Sequence, residues 1–91
     1  MALKKFTKDP NAVLDYTIDW SAWLPDGDVL TDATATATSG IEVDSVSRTT
    51  NLTTVWVSGG SSGSSYDVTV RVTTNGGRTD DRTITIVCKE L

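Results

Sequence analysis

The sequence predicts an all-β fold: an antiparallel sandwich of two sheets built from about six or seven short strands. Three observations carry this reading. Apolar and polar residues alternate with a period of two in run after run. Turn residues (Gly, Pro, Asn, Asp) interrupt those runs about every 8–12 residues. No stretch holds a helical period for longer than a turn or two.

Taken in order, Met1 to Pro10 shows no alternation, carries Lys4, Lys5 and Lys8, and ends in a proline. It reads as an extended arm over residues 1–10, ordered only against a neighbouring subunit. Residues 11–91 form the sandwich domain. Leu14, Tyr16, Ile18 and Trp20 fall on one face of the first strand, with Asp15, Thr17 and Asp19 on the other. The turn chemistry of Leu24 to Asp28 comes next. From Val29 to Thr38, threonines alternate with Ala33, Ala35 and Ala37; alanine is a poor strand residue, so this is an edge or a closely packed strand. Ser39-Gly40 breaks the chain, Ile41 to Val43 is a short strand, and Thr50 to Ser58 is the next. Gly59 to Ser65 is an inter-strand loop rather than a domain linker, because the stretch from Tyr66 to Leu91 is too short to fold alone.

The last two strands are the most regular. Tyr66, Val68, Val70 and Val72 oppose Asp67, Thr69, Arg71 and Thr73, and Asn75-Gly76-Gly77 is a hairpin signal in which Asn-Gly tolerates positive φ. Ile84, Ile86 and Cys88 then share a face against Thr83, Thr85 and Val87. The expected core is Leu14, Tyr16, Ile18, Tyr66, Val68, Val70, Val72, Ile84 and Ile86. Tyr66, at the head of a strand after a loop, has the place of a tyrosine that ties its hydroxyl to corner backbone, which makes the sandwich immunoglobulin-like.

Composition excludes several functions. The formal net charge of −4 speaks against nucleic acid, which needs a basic footprint. No apolar run reaches the roughly 18 residues of a membrane helix. The amino terminus has no apolar stretch behind its lysines, so no signal peptide is expected. One cysteine cannot form an internal disulfide, and folding in a reducing cytoplasm is expected.

No catalytic, cofactor-binding or metal-binding residues are expected. The chain has no His to activate a nucleophile, and Cys88 shares parity with Ile84 and Ile86, which predicts a buried, inert thiol. Asp26 and Asp28 read as turn residues in the absence of a twelve-residue calcium loop. Asp15 and Asp19 lie about 13 Å apart along an extended strand, too far for a glycosidase pair. The candidates that remain are for protein docking: Trp56, Trp23, Arg78, Asp80, Asp81 and Arg82. Trp56 faces outward as an interface anchor if Val55 and Val57 face the core, and is itself core if the parity flips. Trp20 packs inside with Ile18, and Trp23 goes either way. Arg78, Asp80, Asp81 and Arg82 make a surface ion-pair ladder of little worth or a docking patch using bidentate arginine.

Three segments carry a resemblance: Phe6 to Leu24 (FTKDPNAVLDYTIDWSAWL), Val55 to Gly60 (VWVSGG) and Tyr66 to Ile86 (YDVTVRVTTNGGRTDDRTITI). Together they resemble small tailed-bacteriophage structural proteins, some of them fiber–tail adaptors, over nearly the whole chain. The resemblance implies a non-enzymatic virion subunit of immunoglobulin-like form, made in the host cytoplasm and present in several copies in a symmetric assembly. Its partners would be other virion proteins (tail, fiber or capsid subunits), with no nucleic acid and no membrane. A capsid decoration protein is the structural alternative. A carbohydrate-binding or adhesion module, with Trp23 or Trp56 as a stacking platform, is the alternative from another class.

Overall fold

The computed structural model describes residues 2–90. It contains seven strands: β1 (Ala2–Lys8), β2 (Leu14–Asp19), β3 (Leu30–Ala37), β4 (Ile41–Arg48), β5 (Leu52–Gly59), β6 (Ser65–Thr74) and β7 (Thr79–Cys88). They form a four-stranded sheet ordered β1-β7-β6-β3 and a three-stranded sheet ordered β2-β5-β4. The β1–β7 pair is parallel and the other four ladders are antiparallel. There is no helix among the described residues. The all-β, immunoglobulin-like class expected from the alternation is what the chain adopts.

The core lies between the sheets, where period-two alternation places every second residue of the central strands. Val68, Val70 and Val72 of β6, Ile84, Ile86 and Cys88 of β7, and Val55 and Val57 of β5 are all buried. Tyr16 and Ile18 of β2, Leu30, Ile41 and Trp20 complete it. Trp20 has no exposed surface, and its indole N–H donates to the Thr53 hydroxyl at 3.0 Å. A buried indole donor needs such a partner, which accounts for a threonine in the interior at position 53.

Tyr66 is half-buried rather than fully in the core. Its hydroxyl accepts a hydrogen bond from the Ser61 N–H at 3.0 Å. The ring lies against Gly40 and Gly60, and a Cβ at Gly60 (φ +94°) would overlap the Cys88 sulfur and press on the ring at 3.3 Å. The Gly/Ser loop is therefore fastened to the end of the core by the Tyr66 side chain and by backbone bonds, from Gly63 N–H to Cys88 O (2.8 Å) and from Cys88 N–H to Ser64 O (2.9 Å).

Four further sequence expectations change. Leu14 is 38% exposed, because it opens β2 at the rim of an edge strand with nothing beyond it. The 74–78 hairpin takes a three-residue loop in which Gly77 N–H bonds Thr74 O and only Gly77 has positive φ (+85°), so Asn75 does not supply a left-handed residue. The strand expected at Ile41–Val43 runs on to Arg48, through a bulge at Asp44 that interrupts its alternation. Residues 2–8, read as an arm, pair with β7 as β1. The polar look of this strand hides two inward contacts. Phe6 packs on Tyr16 with ring centroids 4.7 Å apart, and Lys8 is fully buried. Its ammonium donates to the carbonyls of Asp9 (2.9 Å) and Gly59 (2.7 Å), which satisfies a charge that burial alone would penalise.

Candidate protein-docking site

Trp56 stands on the outer face of the three-stranded sheet. Its neighbours Val55 and Val57 are buried, so alternation turns Trp56 outward, and it is 42% exposed. Its cross-strand partners are Asp15 on β2 and Ser45 on β4. The same face carries a Thr17–Thr54 hydroxyl contact at 3.0 Å and a Ser58 to Asp44 hydrogen bond at 3.0 Å. Trp56 is thus a large, partly exposed ring on a sheet face that otherwise carries polar side chains.

The second constellation sits at the opposite end of β2. Asp19 accepts from both the N–H and the hydroxyl of Ser21, and those two bonds, with the arginine charge at 82, hold its carboxyl below the usual carboxylate range. The turn so fixed continues with Trp23 N–H and Leu24 N–H bonding to Trp20 O at 2.9 and 3.1 Å. Trp20 and Trp23 therefore meet edge to face, with centroids 5.6 Å apart. Arg78 lies over Trp23 at 5.2 Å, and Arg82 lies over Trp20 at 4.3 Å. Arg82 also donates to the Asp19 carbonyl at 3.2 Å. The result is a chain of four groups in contact: exposed Arg78, half-buried Trp23, buried Trp20 and half-buried Arg82. Cation–π contacts of this kind hold each arginine at a fixed place.

The two acidic members of the run take opposite faces of β7. Asp81 turns to the outer face of the four-stranded sheet and pairs with Arg71 in a two-pronged contact of 2.7 and 3.0 Å. That bond and the arginine charge depress the Asp81 pKa. Asp80 sits opposite Val72 and is half-buried. Thus Trp23, Arg78 and Arg82 are brought together around Trp20, Asp80 shares the inward parity of Arg82, and Trp56 and Asp81 lie on the outer sheet faces. Arg71 was not singled out from the sequence, although its register opposite Asp81 follows from the hairpin once the loop length is known.

The nearby loops are held structurally. The Asp28 carboxylate accepts from Gly76 N–H at 2.9 Å and from Val29 N–H at 3.0 Å, so the 25–28 turn is clamped to the 75–77 hairpin beside Arg78. This is turn chemistry rather than a cradle for an ion.

Comparison with known proteins adds three findings. A family model described as "Podophage GP4 fiber-tail adaptor protein gp77" matches residues 8–87. Among solved structures, the solution structure of the PKD domain from KIAA 1837 protein aligns with a TM-score of 0.53 and 22% identity, covering 99% of this chain and 82% of that one. That likeness concerns the fold alone. No curated protein matches the chain.

Proposed function

Because the chain belongs to the podophage GP4 fiber–tail adaptor family, we propose that it works as a non-enzymatic adaptor in the virion, joining tail to fiber through two separate surfaces. One surface is centred on Trp56. The other is the Trp23–Arg78 end of the sandwich. The carrying observation is the 42% exposure of Trp56 at the centre of an ordered, polar sheet face. A strand tryptophan kept out of the core suits a partner that covers it, and aromatic and arginine anchors dominate protein interfaces.

The rigid sandwich supports this reading. Two patches on different faces of one small domain present themselves to two neighbours at a fixed separation. Several copies around a symmetric tail would turn a weak contact into firm attachment, because each further contact is made at high effective concentration. The net charge of −4 weighs against a nucleic-acid partner and so supports a protein one.

The test is assembly without the chain. Tails made in its absence should lack fibers and regain them on addition of the purified protein. Tails that carry fibers without it contradict the proposal.

One observation favours a second reading. Asp15 lies directly across from Trp56, and an exposed tryptophan beside a carboxylate is also how a sugar is held. Quenching of Trp56 fluorescence by soluble oligosaccharides, abolished in Asp15→Ala, would support it.

A further inference from the structure

The two outer sheet faces differ in charge. On the four-stranded sheet, cations and anions are interleaved. Lys5 on β1 and Arg71 on β6 stand among Asp67 and Asp81, and Arg71 pairs with Asp81 at 2.7 Å. On the three-stranded sheet, the charged residues around Trp56 are carboxylates. Asp15 lies directly across from Trp56 on β2. Glu42 lies on β4 opposite Ser58, two residues from Trp56, or about 7 Å along an extended strand. Asp44, in the bulge beside Ser45, accepts from the Ser58 hydroxyl at 3.0 Å, which holds its carboxylate on this face. Asp15, Glu42 and Asp44 are all exposed.

Among the described residues, no cation of the chain pairs with these three. The strands β2, β4 and β5 contain one basic residue, Arg48. It shares the inward parity of its partner Thr53, and its guanidinium donates to the Leu30 carbonyl at 3.3 Å. Lys8, which reaches the end of β5, is fully buried, and its ammonium donates to backbone carbonyls. Trp56 differs from the other tryptophans in the same sense. Arg82 lies over Trp20 and Arg78 over Trp23, while among the described residues no cationic side chain lies over Trp56.

We propose that the surface seated on Trp56 is cationic: a face of a partner virion protein that presents arginine or lysine side chains to Asp15, Glu42 and Asp44, with the Trp56 ring among them. Like charges without a counter-charge are tolerated while water screens them. A covering partner removes that water, so a neutral or acidic one would leave the carboxylates desolvated and unpaired. A cationic one supplies the missing charges and offers the ring a guanidinium, as Arg82 does for Trp20. The proposal rests on the adaptor reading, since it specifies the partner at one of the two surfaces.

The test is binding of purified variants to particles assembled without the chain. Asp15→Asn, Glu42→Gln and Asp44→Asn combined remove the charge and keep the side-chain shapes. The triple variant should melt at or above the wild-type temperature, because a repulsion has gone. Its affinity for the particles should fall about tenfold or more at low salt, and the gap should close as salt rises from about 0.05 M to about 0.5 M. Each single variant should show part of the loss, and Asp67→Asn, on the opposite outer face, should bind as the wild type does. A triple variant held as firmly as the wild type, or an equal loss in Asp67→Asn, overturns the cationic partner and leaves the adaptor reading standing. A loss confined to Asp15→Asn also overturns it and favours the sugar contact. Self-association of the purified chain that the triple variant abolishes would make the occupant a second copy and overturn the partner-protein form. Particles that take up no wild-type protein overturn both the proposal and the adaptor reading.

Discussion

The Arg82 guanidinium lies over the Trp20 ring, 4.3 Å from its centroid, and ties the last strand to the loop after β2. Arg82 is thereby a structural residue as well as a docking candidate. Replacing it with alanine should lower stability by about 1–2 kcal/mol, combining a lost cation–π contact with the lost bond to Asp19 O. Urea denaturation measures this. An Arg82→Ala protein as stable as the wild type would mean that the stack contributes nothing.

Tyr66→Phe should cost about 1 kcal/mol, since the Ser61 N–H loses its partner while the ring keeps its packing. Gly60→Ala should cost more, because the new Cβ meets the Cys88 sulfur at a backbone φ of +94°. Thermal melts of the two variants rank them. The reverse order would show that the loop is not fastened at this corner.

Lys8→Ala should cost about 1–3 kcal/mol, because it empties a fully buried side-chain site and leaves the partly buried Asp9 and Gly59 carbonyls without their donor. Lys5→Ala, on an exposed residue of the same strand, should stay within about 0.5 kcal/mol of the wild type. Equal effects of the two would place Lys8 in solvent.

Much of the fold was legible because β6 and β7 alternate without a break, and one face of each is buried. Val68, Val70, Val72, Ile84 and Ile86 are where parity puts them. That Trp56 opposes Val55 and Val57 was legible in the same way, but which of the two parities faces the core was settled only by the fold. Residues 2–8 were not legible as a strand, since a buried lysine on the inward face erases the alternation that marks one. The stack of Arg82 on Trp20 was not legible either. It joins residues far apart in the chain, and it depends on how the 20–24 turn aims its indoles, which a tight turn sets by its own hydrogen bonds. The Leu14 side chain had the right parity but no neighbour to bury it, and parity carries no knowledge of where a sheet ends.

Stability should also report the carboxylates. The Arg71 side chain, by hydrogen bond and charge, lowers the Asp81 pKa. At Asp28 partial burial pushes upward, but bonds from Thr74, Gly76 and Val29 outweigh it, so that its pKa is also lowered. A depressed folded pKa contributes stability that is complete above the unfolded value, near about 4, and is lost as pH falls through the folded value. The denaturation midpoint should therefore hold from neutral pH to about pH 5 and fall below about pH 4. Asp81→Asn should flatten that acid limb. An unchanged limb would remove the Arg71–Asp81 pair from the account.

The most direct measurement is fiber attachment by variants that fold normally. Arg78 is exposed and Trp56 points outward, so Trp56→Ala and Arg78→Ala should melt close to the wild type. An interface anchor of either kind contributes about 2 kcal/mol or more per contact, and repeated copies multiply the loss. The account predicts that tails assembled with the double variant carry few or no fibers while the protein itself remains folded. Tails that carry a full set of fibers with both side chains removed would contradict it.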